Sequence, residues 1–289
     1  MINRSIKLTI LFLAILFSLS ACGVKTVYNH LDWVLEGMVD DYVSLTDAQE
    51  QDVDKRIAMF LKWHRNTQLQ DYVDDLKAIK AYGKKGFDDE STEIMFANFM
   101  KRWNSLKNRI APDMADVLLT LNNDQIKDLF VHLEDENREM QDEINSTTPE
   151  EKLEKSKDKL ISNFSDWLGP LNDTQKDILR AWPAKFKPLD EDRMAFRKKW
   201  QQALIRVLLG NASKEQKRKQ LLALITKPDE YQTEEHKAKL AYNSKQVKEL
   251  MLTFDHTVTA EQKQFLAERL DKFITAFQEL IAEGKQQES

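Results

Sequence analysis

Five segments of this chain share one short grammar. Thr46 to Gln49, Asn122 to Gln125, Asn172 to Gln175, Ser213 to Gln216 and Thr259 to Gln262 each set an N-cap residue three positions before a glutamine. A Thr, Asn or Ser side chain at the N-cap accepts from an orphan amide of the first turn, and a Gln at N3 reaches back to the cap's own N–H. Each segment therefore predicts a helix start. Leu45, Leu121, Leu171 and Val258 precede four of the five, where an apolar residue helps fix the entry of the chain. Thr148, with Pro149 at N1 and Glu151 at N3, predicts a sixth start. The boxes are unequally spaced, which disfavours a regular solenoid.

Composition agrees with the boxes. Only 7 Gly and 6 Pro occur in 289 residues, against 31% charged and 42% hydrophobic, so helix formers dominate and turn formers are scarce. Between the starts the apolar spacing is helical, as in Ile126, Leu129, Phe130 and Leu133, or Phe273, Ile274, Phe277 and Leu280. No segment alternates as a strand would. The expected fold is all-α: an elongated antiparallel bundle or chain of helical hairpins, with eight to ten helices. Breaks are expected at Gly83 with Gly86, at 145–149, at Gly169 and Pro170, at Pro183 to Pro188, at Gly210 and at Pro228, and Pro112 is expected to kink or restart a helix. The loop at 145–149 is the best candidate for a subdomain boundary.

The N-terminus carries an address. Arg4 and Lys7 precede the apolar run Leu8 to Leu19, which is shorter than the roughly 20 residues of a spanning helix but suits a secretory leader. Leu19, Ser20 and Ala21 lead into Cys22, the only cysteine. This pattern resembles that of bacterial lipoproteins. The resemblance implies cleavage after residue 21, a diacylglycerol and an acyl chain such as palmitate on Cys22, and a permanent anchor, since two chains already hold a protein at a bilayer. It also implies outer-membrane placement facing the periplasm, because Gly23 stands where an inner-membrane retention signal has Asp. The alternatives are a plain cleaved leader or an uncleaved anchor. A lipidated Cys22 leaves no thiol for a disulfide, metal or nucleophile. Losing residues 1–21 removes two cations and no acid, which takes the formal charge from −5 to −7. Nucleic acid is then an unlikely partner by charge, since an acidic surface gains nothing from displacing counterions.

One helical face is unusual. Val53, Ile57, Leu61, His64, Gln68, Tyr72, Leu76 and Ile79 follow one another at three- and four-residue steps, so His64 and Gln68 fall where a structural stripe would hold Leu, with Trp63 and Arg65 beside them. Buried polar groups need partners. Two readings stand: a satisfied core network that fixes register, or a polar groove of His64, Arg65, Gln68 and Tyr72 that recognises an envelope component. Upstream, Trp33, Asp41 and Tyr42 lie close to the anchor, and the two aromatics either rest at headgroup level or staple an N-terminal helix to the bundle. Asp40 and Asp41 point apart on a helix and make no acid/base pair by themselves. The acidic run Glu134 to Glu136 is expected to be a solvated face. The five histidines show no metal-ligand spacing, no phosphate loop or nucleophile elbow is present, and no metal or cofactor is expected.

Tyr28, Asn29, Asp32 and Trp33, then Asp40 to Val43 with Leu45, Thr46 and Gln49, then Trp63 to Arg65 with Thr67, Gln68, Leu69 and Tyr72, resemble an uncharacterised family of Gram-negative lipoproteins that is known only as a domain of unknown function. That resemblance implies export and lipidation and supplies no catalytic residues. Leu45, Thr46 and Gln49 are also similar to the LTxxQ signature of Spy-type periplasmic chaperones, with Leu121, Leu171 and Val258 opening degenerate copies. The expected function is non-enzymatic: a lipid-anchored protein that binds an envelope protein or a client chain. The alternatives are a Spy-like chaperone and an envelope hydrolase in which His64 is the general base with Asp40 or Asp41 as its partner.

Overall fold

A computed structural model describes residues 21–287. Residues 1–20 of the expected leader and the side chain of Cys22 lie outside the described residues. Twelve α-helices and no strand occur among them, in an elongated arrangement. In chain order they are α1 (Ala21–Tyr28), α2 (Leu31–Asp40), α3 (Asp47–Trp63), α4 (Leu69–Lys85), α5 (Asp89–Leu118), α6 (Asn123–Ser146), α7 (Pro149–Leu168), α8 (Asp173–Ala181), α9 (Asp190–Leu209), α10 (Lys214–Thr226), α11 (Glu234–Asp255) and α12 (Ala260–Gln287).

The all-α expectation holds, and the count exceeds eight to ten. Short helices α1 and α2 account for part of the excess. His30, at the N-cap of α2, makes no side-chain cap bond, so no local signal announces that start. Packing of Val24, Tyr28 and Leu31 into the core stabilises both helices instead. Pro112 does not restart a helix, because α5 runs through it without interruption. At the end of α4, Gly86 adopts φ 99°, and a Cβ there would stand 2.9 Å from Asp255 Oδ2, the atom that accepts from Phe87 N. Glycine is required at that turn on both counts.

The six starts read from the sequence are all helix starts, and four of them interlock in pairs. Gln125 Oε1 accepts from the Asn122 amide at 3.0 Å while Asn122 Oδ1 accepts from the Gln125 amide at 2.9 Å, and Gln49 Oε1 likewise accepts from the Thr46 amide. The Gln49 and Gln125 carboxamides then bond each other in both directions, at 3.1 and 2.7 Å. Their remaining donors go to the chain before the opposite helix, Gln49 to Thr120 O and Gln125 to Ser44 O. Gln175 and Gln262 repeat the pattern at 2.7 and 2.9 Å, with Thr257 O and Pro170 O as the loop acceptors. Each acceptor carbonyl lies two residues before its helix's cap, so each clasp has local two-fold symmetry. A glutamine carboxamide has two donors and two acceptor sites, and the clasp fills them all. Glutamate could fill only the accepting half. Two boxes join no clasp: Thr148 to Glu151 carries Glu and Ser213 to Gln216 carries Gln, each making only its local capping bonds.

Three apolar clusters hold the helices. The first joins α1, the start of α4 and the second half of α12 through Tyr28, Leu69, Val73, Phe273, Phe277 and Leu280. A second joins α5, α6, α9 and α10 around Ala115, Leu204, Leu221 and Leu224, and a third joins α7, α8 and α11 around Leu179, Trp182, Leu250 and Phe254. Burying each Leu or Phe side chain contributes roughly 1.5–3 kcal/mol.

Candidate functional site

α3 and α4 form one rod interrupted by a π-helical turn, His64–Gln68, in which Leu69 N donates to His64 O. The extra residue shifts the inward stripe. Before the turn Val53 and Phe60 are buried; after it Leu69 and Val73 are, while Tyr72, Leu76 and Ile79 are only half-buried. A strict 3.6-residue pattern cannot register this offset, which is why the single stripe read from the sequence breaks at Gln68.

His64 sits inside the turn at 2% exposure. Its Nδ1 lies 2.8 Å from Tyr28 Oη and its Nε2 3.2 Å from Tyr72 Oη, with the Phe60 and Trp63 rings at its edges. A neutral imidazole offers one donor and one acceptor, so one tyrosine donates to the ring and the other accepts from it. Burial lowers the His64 pKa to about 4 and holds the ring neutral. The same burial raises Tyr28 to about 12 against the opposing pull of Arg65, and raises Tyr72 as well. Arg65 caps the cluster from outside: its Nη2 donates to Asn29 Oδ1 at 2.8 Å and its guanidinium lies 5.2 Å from the centre of the Tyr28 ring. Gln68 is also buried. Its Nε2 donates to Thr67 Oγ1, and its Oε1 has no hydrogen-bond donor among the described residues.

The structure thus brings His64, Gln68, Tyr72, Trp63 and Arg65 to one place and adds Tyr28 from α1 and Phe60 from α3. His64 and Gln68 face the interior. Trp33, at 75% exposure, points into solvent and staples nothing, and Asp40 and Asp41 are exposed at the end of α2. Both ring nitrogens of His64 face tyrosine hydroxyls, whereas the hydrolase alternative needs one of them on a carboxylate.

Tyr42 belongs to a second polar cluster. Its hydroxyl donates to Glu136 Oε1 at 3.0 Å, Glu136 pairs with Arg197, Arg197 Nε donates to Asn137 Oδ1, and Asn137 Nδ2 donates to Gln201 Oε1. Burial, then the Glu136 charge, raises the Tyr42 pKa. Glu136 is therefore buried, and the expectation of a solvated face fails at this residue. Its partners are Arg197 of α9, 61 residues on, and Tyr42, 94 residues back, and no local sequence signal could have named them.

Among the described residues, no group of three or more His, Cys, Asp or Glu is placed to hold a metal ion, and no helix is long and apolar enough to cross a membrane. The family of unknown function DUF6279 matches residues 41–237, more than half of the chain. The chain belongs to that family. The DUF6279 match takes in His64, Tyr72, Glu136 and Arg197, while Tyr28, Trp33 and α12 lie outside it. No curated protein and no solved structure matches the chain.

Proposed function

We propose that this DUF6279 member is a lipid-anchored, periplasm-facing protein of the outer membrane that acts by binding an envelope protein or client chain. The observation that carries the reading is the docking of α1. Val24, two residues beyond the expected lipidated Cys22, is already buried, Tyr28 bonds His64, and Lys25 pairs with Glu279 and Glu283 of α12. A lipid at Cys22 would then join the bundle without a flexible linker and hold it against the headgroups. In this reading the Tyr28, His64 and Tyr72 cluster is a structural lock behind the anchor. Partner contact falls to exposed groups near it, Trp33 first.

The test has two parts. Intact-mass measurement of protein taken from cells should find residues 1–21 removed and a triacylated Cys22; a bare thiol or a retained leader rejects the placement. Affinity capture from solubilised envelopes should retain a partner with the wild type that Trp33→Ala loses. Identical retained sets reject Trp33 as the contact.

A further inference from the structure

Helix α5 has three faces with different fates. Arg102 binds Asp71 and Asp75 of α4, and Asp113 binds Arg56 of α3, which fixes one face against the rod. Ala111 and Ala115 are fully buried on a second. The third face carries Phe96, Met100, Trp103, Lys107, Ile110 and Met114 at alternating steps of four and three. Met100 is 49%, Trp103 40% and Met114 43% exposed, and Lys107 has no ion-pair or hydrogen-bond partner among the described residues. A four–three alternation is the seam by which one helix packs along another. Phe96, Lys107 and Ile110 are half-buried, and the Lys248 ammonium of α11 lies 5.2 Å from the centre of the Phe96 ring, so the open part of the seam runs from Met100 to Met114, roughly 21 Å at 1.5 Å per residue.

We propose that this seam is a homodimer interface, with α5 of one copy packed antiparallel against α5 of a second. The pattern is self-complementary about a midpoint between Trp103 and Lys107. Across that two-fold, and with Phe96 held beneath Lys248 of its own chain, Met100 meets Ile110 and Trp103 meets Lys107 of the other copy. The last pair decides the occupant. Parallel pairing would set Lys107 against its own charge in an apolar seam, whereas antiparallel pairing lays the ammonium on an indole face. No carboxylate lies between residues 94 and 112, so the stretch brings no acid of its own to this cation. An isologous contact of this kind closes on itself and does not propagate. The inference stands whether or not Cys22 is acylated.

Cross-linking tests the geometry directly. In the full chain with Cys22→Ser, which leaves no other thiol, Met100→Cys and Ile110→Cys are made separately and treated with a short bis-maleimide. Mixed, they should give a band at twice the 33.8 kDa chain mass, and neither should do so alone. Trp103→Asp in both should abolish the band, and Lys107→Ala should weaken dimerisation roughly tenfold, because each copy contributes one ammonium–indole pair. Unchanged circular dichroism establishes that the exposed Met100 and Trp103 and the half-buried Lys107 and Ile110 tolerate these changes with the fold intact. Bands from either variant alone, or none from the mixture of folded proteins, overturn the antiparallel homodimer. Monomeric protein that binds an acidic amphipathic helix through Trp103 would equally overturn it and assign the seam to a different partner.

Discussion

Gln49 and Gln125, 76 residues apart, bond each other through both halves of their carboxamides while each also holds the N-cap of its own helix. One side chain type thus starts two helices and joins them. Gln175 and Gln262 do the same between α8 and α12. The boxes share no sequence period because the fold pairs them by contact, first with second and third with fourth among the four that an apolar residue leads.

Gln175 is fully buried, so Gln175→Glu keeps the accepting role and turns two donors into charged oxygen facing Thr257 O and Gln262 Oε1. A loss of about 3 kcal/mol is expected, smaller in acid where the carboxyl regains a proton. Gln216→Glu, in an exposed box that joins no clasp, should change stability by less than about 0.5 kcal/mol. Urea unfolding of the two variants side by side tests the clasp, and equal losses would refute it.

His64 gives stability a pH dependence of known sign. The unfolded ring takes a proton at its ordinary 6.5, while the buried ring resists until about 4. The neutral ring's contribution is therefore complete above pH 6.5 and is lost as the pH falls through 4. The difference amounts to about 3 kcal/mol. His64→Gln should remove that share, so the wild type is expected to lose more stability between pH 7 and 4 than the variant does. Parallel pH profiles would contradict the assignment.

Arg197→Met leaves the Glu136 carboxylate buried with Tyr42 but without its cation. Breaking one side of such a pair costs about 3–5 kcal/mol, and the double variant with Glu136→Gln should recover a substantial part by removing the stranded charge. Chemical denaturation of the single and double variants measures the recovery. Additive losses would mean that the two side chains do not act as a pair.

Deleting Asn66, an exposed residue of the π turn, should convert 47–85 into a regular helix that keeps Leu69 and Val73 inward, because the five-residue step from His64 to Leu69 becomes a four-residue one. The loss should stay below that of Leu69→Ala, for which about 2–5 kcal/mol is expected. Thermal melts compare them, and a deletion costlier than the point variant would show that the π turn holds more in place than the inward line.

The sequence by itself determined the helical class and the places where α3, α6, α7, α8, α10 and α12 begin, because capping is local: cap and N3 residue lie within one turn of each other. It also singled out His64 and Gln68, since polar groups on an apolar stripe are visible without coordinates. Only the tertiary structure decided which boxes clasp, that Glu136 turns inward to Arg197, and that Tyr28 and Tyr72 complete His64. Those contacts join residues distant along the chain, and a local pattern carries no information about its distant partner. The π turn stands between the two cases. Its extra residue is written in the sequence, but it becomes legible only when both ends of the rod are packed and the inward line is seen to shift from His64 to Leu69.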